Sequence, residues 1–177
     1  MRRKTVLESS EMKKILHDIA DEIIKNHGDP SKLALVGIHT RGVFLAERIR
    51  EILKNTHFCD VYIGNIDINL YRDDWTSASH HPEVRGSEIS FPVGGKDILL
   101  IDDVLYTGRT IRAAMEALMD YGRPDRVELC VFIDRGHREL PIQANYTGRY
   151  LHTEKNESVN VLLTECDGED RVDILSP

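Results

Sequence analysis

One uninterrupted apolar run, Leu33–Ile38, constrains the fold of this chain more than any other feature of its sequence. Apolar and polar residues do not alternate in it, which is typical of a strand that is covered on both faces. Residues 97–101 and 127–133 predict two further strands. Helical patterns lie between these runs. Strands that alternate with helices favour an α/β fold with a mostly parallel sheet.

Three helices are predicted from apolar residues that recur every three or four positions. The first covers residues 11–27, with Ser9 or Ser10 as its N-cap and the sequence GDP as its stop signal. The second follows the sequence HTRG, and the third covers residues 107–121. The buried side of the second helix is expected to carry Val43, Leu45, Ala46, Ile49, Ile52 and Leu53.

The remaining elements are less regular. Residues 58–70 are interpreted as a strand that is bent at Gly64, and one more strand is expected around residues 159–163. The rest of the chain after residue 133 is predicted to consist of turns. A long polar segment over residues 71–86 has no periodicity, and a loop of this length inside a small domain is usually functional or disordered.

Length and composition place limits on the function. The 177 residues suit one domain, and the sequence has no evident repeat or linker. A net charge of -7 argues against indiscriminate nucleic-acid binding, although a local basic patch is compatible with it. Without a membrane-length apolar stretch or a signal peptide, we expect a cytoplasmic protein. Cys59 and Cys130 lie in or beside apolar runs and are expected to be buried free thiols.

The run over residues 97–101 leads into two adjacent carboxylates, Asp102 and Asp103, and then into the sequence VLYTGRT. Backbone N–H groups at the start of the following helix, with nearby threonine hydroxyls, would form a phosphate cradle. Gly108 lets the backbone approach a ligand closely. Because carboxylates repel phosphate, the acid pair must face another part of the ligand, such as ribose hydroxyls or a hydrated Mg²⁺. A strand-end acid pair that only caps the helix is the alternative.

Three polar segments follow predicted strands: HTRG, DDVLYTGRT and DRGHREL. In an open parallel sheet, ligands bind beyond the carboxyl ends of the strands. We therefore expect the three segments to meet at one edge of the sheet and to form a single site.

The stretch ILLIDDVLYTGRT at residues 98–110 resembles the phosphoribosyl-pyrophosphate-binding motif of the type I phosphoribosyltransferases. Together with YRDD at 71–74 and DRGHRELPI at 134–142, it is similar to the pyrimidine-operon attenuation regulators that are also uracil phosphoribosyltransferases. The resemblance covers nearly the whole chain. It implies a type I phosphoribosyltransferase fold in a single domain, 1–177, with a mobile flap over about 71–89. It also implies a small hood from the N-terminal segment and about 135–165.

The resemblance implies roles for individual residues. Arg41, Asp102 and Asp103 would be catalytic, and the two acids would hold Mg²⁺ mostly through substrate and water. HTRG matches the family's pyrophosphate loop, although alone it also fits a strand-to-helix turn with a solvated arginine. The residues expected to bind phosphoribosyl pyrophosphate or UMP are Thr40, Arg41, Asp102, Asp103, Val104, Leu105, Tyr106, Thr107, Gly108, Arg109 and Thr110.

The base and the flap are assigned in the same way. Purine-specific relatives commonly carry an acid where this chain has Tyr106, so the resemblance favours uracil over a purine. Arg135 is expected to donate to a uracil carbonyl, with a salt bridge to Glu139 as the alternative. The backbone of Val159 is expected to contact the edge of the base. In the flap, the cations expected near the diphosphate are Arg72 and Arg85.

The implied partners are phosphoribosyl pyrophosphate, uracil, UMP, the leader mRNA of the pyrimidine operon, and further copies of the chain in a homodimer or larger homo-oligomer. Lys155 is the expected RNA contact, with contributions from Arg138 and Arg149, and solvated cations are the alternative for all three. The first helix is expected to expose Asp18 and Asp21, which would repel RNA phosphates. An enzyme without RNA binding and a transferase for another base therefore stay open.

Overall fold

The computed structural model describes residues 2–71 and 86–177, which form two β-sheets and four α-helices. The strands are β1 (Arg2–Glu8), β2 (Leu33–Ile38), β3 (Tyr62–Ile66), β4 (Asp97–Leu105), β5 (Arg126–Asp134), β6 (Tyr146–Tyr150), β7 (Ser158–Leu162) and β8 (Arg171–Ser176). The helices are α1 (Ser9–Asn26), α2 (Arg41–His57), α3 (Arg109–Met119) and α4 (Thr164–Asp167).

The larger sheet contains five parallel strands in the order β3-β2-β4-β5-β6. In β2, Leu33 and Leu35 belong to a core that includes α1 and α2, whereas Ala34 and Val36 belong to a second core that includes α3. Helices therefore cover both faces of the sheet, and this explains the apolar run without alternation. The α/β fold with a mostly parallel sheet is confirmed.

The smaller sheet joins the two ends of the chain. Its antiparallel strands have the order β1-β8-β7, and β7 lies against the end of β4. The side chains of Leu7, Val161 and Val172 insert from this sheet into the core beneath α1 and α2. Two of these strands, β1 and β8, were not predicted from the sequence. The sheet is thereby fixed to the side of the large sheet on which α1 and α2 pack.

The ends of the helices differ from the predicted ones. Neither serine caps α1: the N-cap is Glu8, whose backbone N–H donates to the Glu11 carboxylate at 3.1 Å. The helix that was predicted over 107–121 begins at Arg109 instead, because Gly108 adopts a left-handed conformation. In α2 the predicted apolar side is buried except for Val43 and Ile52, which are half-buried.

Two strand predictions also need correction. The prediction of a strand over 58–70 is wrong at both ends, because α2 continues to His57 and ends where Phe58 takes a left-handed conformation. At the other end, the Asp67 carboxylate accepts from the backbone N–H of Asn69 at 2.9 Å and turns the chain out of β3. Strand β4 is longer than predicted, since its pairing with β5 continues to Leu105.

Two further features of the described residues bear on the predictions. Cys59, Cys130 and Cys166 are free thiols; Cys130 is buried, Cys59 is half-buried and Cys166 is exposed. Burial raises the pKa of Cys130 to about 12, so this thiol is unreactive. Within residues 2–71 and 86–177, none of the helices has the length and apolar character needed to span a membrane.

Candidate active site

The three polar segments lie at the same edge of the large sheet. The strands that precede them, β2, β4 and β5, are adjacent and parallel, so their carboxyl ends point in one direction. HTRG connects β2 to α2, the segment after Leu105 connects β4 to α3, and the third segment leaves β5 after Asp134. In an open α/β sheet, ligands bind at this edge, beyond the carboxyl ends of the strands.

The HTRG loop is packed directly against β4. A Cβ atom added to Gly42 would lie 2.3 Å from the carbonyl oxygen of Ile101 and 3.2 Å from the Cα of Asp102, so only glycine fits there. The preceding His39–Thr40 peptide bond is cis. The backbone N–H of His39 donates to Ile66 at 3.0 Å, which ties the loop to β3 as well.

Asp102 and Asp103 occupy the last part of β4. The Asp102 carboxylate accepts from the backbone N–H of Asp103 at 2.9 Å, and the Asp103 carboxylate accepts from that of Val104 at 2.8 Å. Burial, and then the neighbouring charge of Asp103, raise the pKa of Asp102 well above its usual value. Burial also raises the pKa of Asp103, against the opposing charge of Arg41. Ionising both carboxyl groups is therefore unfavourable, and a cation or several hydroxyl donors would stabilise the charged form of the pair.

This donor set fits a magnesium ion held partly by other oxygens. Carboxylate oxygens are ligands that Mg²⁺ prefers, and the ion usually keeps several waters and binds through one or two carboxylates plus substrate oxygens. Among the residues that the structure describes, no cluster of three or more metal-binding side chains is present. A complete protein cage is therefore absent from residues 2–71 and 86–177, and Asp102 and Asp103 are the side chains that would hold the ion.

The phosphate cradle expected after β4 has a defined backbone geometry. Gly108 is the N-cap of α3 with a φ of 92°, and the backbone N–H of Arg109 donates to the Thr107 hydroxyl at 3.3 Å. The carbonyl of Thr107 accepts from the N–H groups of Glu139 and Leu140, at 3.0 and 3.1 Å. These two hydrogen bonds tie the start of the loop from Thr107 to Thr110 to the segment that follows β5.

Arg41 lies at the first residue of α2. Its Nη2 and Nε donate to the two carboxylate oxygens of Asp167, at 2.7 and 3.1 Å, and Asp167 ends α4. The guanidinium holds the pKa of Asp167 at about 2, and the pair raises the pKa of Arg41. The charge of Asp103 also raises the pKa of Arg41, so the arginine is within electrostatic reach of the acid pair.

Arg135 stacks over Tyr106, which follows the acid pair in the sequence. The central carbon of its guanidinium lies 4.1 Å from the ring centroid, its Nε donates to the Thr153 hydroxyl at 3.2 Å, and its Nη2 donates to the Glu154 carbonyl at 3.1 Å. The alternative salt bridge to Glu139 is wrong in this structure, because Glu139 pairs with Arg109 at 2.8 Å. Arg135 is buried beside the site rather than exposed at its rim.

The expected RNA cations have different environments. Lys155 and Arg149 are exposed. Arg138 is not available as a surface cation: its guanidinium donates to the carbonyls of Tyr106 and Ile142, at 2.9 and 3.0 Å, and forms a close ion pair with Asp134. The prediction for Arg138 is therefore wrong for a physical reason, since it braces the site. As expected, His17, Asp18, Asp21, Glu22 and Lys25 are exposed on α1, and so are Lys13 and Lys14.

The other predicted residues divide into two groups. Val159 lies in β7 and is half-buried against the core that also contains Val104. Arg72 and Arg85, with most of the predicted flap, lie outside the described residues. Sequence reasoning missed Asp167, which anchors Arg41, because it belongs to no motif with a recognisable spacing and only the folded chain brings it to the site. It also missed the bracing role of Arg138, which lies in the DRGHREL segment but was expected at the RNA surface.

Comparison with known proteins identifies the family. Residues 2–162 match the family described as the phosphoribosyl transferase domain. The "Bifunctional protein PyrR" of Syntrophobacter fumaroxidans is 50% identical over 169 residues, which cover 96% of this chain and 91% of that protein. The protein of the same name from Thermus aquaticus is also 50% identical over 169 residues, covering 96% of this chain and 93% of its own length. The chain belongs to the PyrR family of phosphoribosyltransferases.

Solved structures of purine phosphoribosyltransferases share the fold of this PyrR-family chain. A hypoxanthine phosphoribosyltransferase from Staphylococcus aureus superimposes with a TM-score of 0.73 at 19% identity, covering 98% of this chain and 93% of the other. The hypoxanthine phosphoribosyltransferase of Trypanosoma cruzi gives 0.71 at 14% identity, covering 98% and 97%. These structural similarities establish the type I phosphoribosyltransferase fold. The sequence matches show that the chain belongs to the PyrR family.

Proposed function

We propose that this protein is a uracil phosphoribosyltransferase, which converts uracil and phosphoribosyl pyrophosphate to UMP and diphosphate. The observation that carries the proposal is the continuity of one short segment: an acid pair formed by the buried Asp102 and the half-buried Asp103, then a helix that begins after Gly108. The pair suits the ribose hydroxyls of the substrate. The N–H groups of the first turn of α3 suit its 5′-phosphate.

The residues around this segment bind different parts of the substrates. The loop that contains Thr40 and Arg41 receives the diphosphate, and the loop from Val104 through Tyr106 to Thr110 receives the ribose phosphate. Mg²⁺, held by Asp102 and Asp103 with substrate and water oxygens, would neutralise charge on the diphosphate. Arg135 and the Val159 backbone form the uracil side, beneath a hood that includes β1 and β7. Arg72 and Arg85, which lie outside the described residues, would add positive charge for the diphosphate.

The transfer breaks the bond from C1′ of the ribose to the diphosphate oxygen, and the electron pair leaves with the diphosphate. A ring nitrogen of uracil, having lost its proton to solvent, supplies the pair for the new bond to C1′. Positive charge develops on the sugar between the two events, so the site needs alignment, charge stabilisation and exclusion of water more than a covalent nucleophile. Arg41 supplies N–H donors for the leaving diphosphate.

Tyr106 supports uracil as the acceptor. Its side chain stacks against Arg135, so the position offers no acid to a purine ring nitrogen. Arg135 keeps a guanidinium within the site, where it can donate to a pyrimidine carbonyl. The purine names of the structural neighbours apply to those proteins and do not decide the base here.

The test is formation of UMP from uracil, phosphoribosyl pyrophosphate and Mg²⁺ by the purified protein, with hypoxanthine, guanine and orotate as competing bases. We expect uracil to be used in preference to all three. Asp103→Asn should reduce the rate by about 10²-fold or more, as expected when a group that stabilises transition-state charge is removed. The proposal fails if no UMP forms, or if the variant equals the wild type.

We also propose a second activity, binding of the pyrimidine-operon leader mRNA in response to UMP. Its support is the name of relatives about half identical to this chain, "Bifunctional protein PyrR", together with the exposed Lys155. A transferase that has lost RNA binding is the competing reading, since α1 exposes Asp18 and Asp21. We also propose that the protein acts in the cytoplasm. We propose that it forms a homodimer or a larger homo-oligomer, and light scattering would measure its oligomeric state.

A further inference from the structure

The C-terminal segment from Thr164 to Asp170 packs along α2 through two arginines. Arg41 pairs with Asp167, and Arg48 donates to Glu165 at 2.6 and 2.8 Å and to Asp170 at 2.7 and 3.0 Å. The two arginines are seven residues apart and therefore lie on one side of the helix, two turns from each other. One of these anchors is at the candidate active site, whereas the other is remote from it.

The Asp167 carboxylate is itself held in place. Its Oδ2 accepts from the backbone N–H of Leu163 at 2.9 Å, as well as from the Arg41 guanidinium. Its side chain is 18% exposed and that of Arg41 is 34% exposed, so water competes only partly for the pair. A bidentate arginine–carboxylate pair fixes the plane of the guanidinium as well as its position. Arg41 is thus oriented by a carboxylate that cannot itself turn freely.

Asp167 orients Arg41 without using all of its donors. A guanidinium has five N–H groups, and the side-on pair engages the Nε hydrogen and one hydrogen of Nη2. Both hydrogens of Nη1 and the second hydrogen of Nη2 stay directed away from Asp167. An anion can therefore be bound by the end of the guanidinium while the carboxylate holds its side.

We infer that Asp167 is a positioning residue for the reaction: it presents the end of the Arg41 guanidinium to the leaving diphosphate. This inference rests on the proposed function, because it assigns the diphosphate to the HTRG loop. Without Asp167, Arg41 would keep its charge but would sample several rotamers, and the entropy of ordering it would oppose diphosphate binding.

The segment provides a matched control. Asp170 resembles Asp167 in three respects: it pairs with an arginine of α2, it accepts a backbone N–H of the same segment, from Thr164 at 2.9 Å, and it ties that segment to α2. Its partner Arg48 lies two turns away from the candidate active site. A role confined to anchoring the segment would therefore be shared by the two aspartates, whereas a role in positioning Arg41 belongs to Asp167 alone.

The experiment measures binding of diphosphate with Mg²⁺ by calorimetry, using the wild type, Asp167→Asn, Asp167→Glu and Asp170→Asn. We expect Asp167→Asn to raise the Kd about tenfold, Asp170→Asn to leave it within twofold, and Asp167→Glu to fall between wild type and Asp167→Asn. In steady-state transfer, Asp167→Asn should raise the KM for phosphoribosyl pyrophosphate and leave the KM for uracil unchanged.

Each other outcome overturns the inference. Tighter diphosphate binding by Asp167→Asn would mean that Asp167 masks Arg41, and equal losses in both asparagine variants would mean that both acids only anchor the segment. A wild type that binds no diphosphate also refutes it. If Asp167→Asn is unfolded at the assay temperature, Asp167→Glu decides, and wild-type affinity in that variant refutes the inference. Failure of the proposed function is separate, since it appears as absence of UMP while diphosphate binding still depends on Asp167.

Discussion

The Arg135 guanidinium lies over the ring of Tyr106, with its central carbon 4.1 Å from the ring centroid. The same guanidinium is held at its edge by Thr153 and Glu154 in the connection between β6 and β7. The aromatic ring and the connection therefore fix Arg135 from two sides. This arrangement links the motif after β4, which is expected to bind ribose phosphate, to the region expected to bind the base.

Replacing Tyr106 tests whether this stacking matters for uracil. Tyr106→Leu removes the ring beneath Arg135, and since cation–π contacts contribute about 0.5–2 kcal/mol, we expect the KM for uracil to rise about twofold to thirtyfold. Tyr106→Phe keeps the ring and should stay near the wild type. The measurement is the initial rate of UMP formation at saturating phosphoribosyl pyrophosphate. Equal KM values for all three proteins would show that Tyr106 does not support the uracil side.

The carboxyl group of Asp102 is expected to lower the free energy of unfolding at neutral pH. Its pKa in the folded protein is raised by burial and by Asp103, so the folded state holds its proton to higher pH than the unfolded state does. Stability should therefore fall as the pH rises above the unfolded pKa of about 4. Asp102→Asn removes this loss and keeps an acceptor for the Asp103 N–H. We expect its Tm to exceed that of the wild type at pH 7.5, and the difference to shrink towards pH 4.

The measurement is calorimetric unfolding without Mg²⁺ and substrate, because both would compensate the charge of Asp102. Asp173 supplies the contrast, since it is also a buried acid but accepts from Arg3 at 2.6 Å and from Arg171 at 3.0 Å. Asp173→Asn removes the buried carboxylate that Arg3 and Arg171 share and leaves Glu169 as their charged partner, so it should lower the Tm. A lower Tm in Asp102→Asn at pH 7.5 would contradict the assignment of Asp102 as an uncompensated charge.

The large sheet was predictable from the sequence because its central strands are covered on both faces. In β2 every residue is buried, and the apolar run predicted both ends of the strand. By contrast, β1 buries only Leu7, and its sequence RRKTVLE has no pattern that marks a strand. Edge and hood strands of this kind depend on pairing with distant residues, such as that of Arg2 with Ser176, which a local pattern does not contain.

The candidate site divides in the same way. Asp102, Asp103 and Gly108 follow one another along the chain, so spacing alone predicted that they act together. Asp167 reaches Arg41 across 126 positions of sequence. The predicted alternative for Arg135, a partner four residues away, was wrong because Glu139 pairs instead with Arg109, which is 30 positions away in the sequence. Short-range motifs were thus predictable, and the contacts that orient them were not.

Gly108 should be required for binding of the substrate phosphate. At its φ of 92°, an added Cβ is strained and would lie 3.3 Å from the side chain of Ile142. Gly95 has a φ of 75° with open space around it, at the opposite end of β4. Alanine at either position should cost about 1 kcal/mol of unfolding free energy. Only Gly108→Ala should also raise the KM for phosphoribosyl pyrophosphate. An unchanged KM in that variant would argue against a phosphate cradle at the start of α3.

RNA binding should be governed by the charges on the surface rather than by the catalytic residues. Lys155 is exposed, whereas α1 presents Asp18 and Asp21 to solvent. We expect a UMP-enhanced shift of the leader hairpin at low salt, and Lys155→Gln should reduce the salt slope of binding by about 1. Asp18→Asn should tighten binding by removing a charge that repels phosphate.

The control is Asp125→Asn, which changes the net charge equally at a side chain that is 54% exposed elsewhere on the molecule. If it tightens binding as much as Asp18→Asn does, α1 is not the RNA surface. If neither the wild type nor Asp18→Asn shifts the RNA, the second activity is absent and the transferase stands alone.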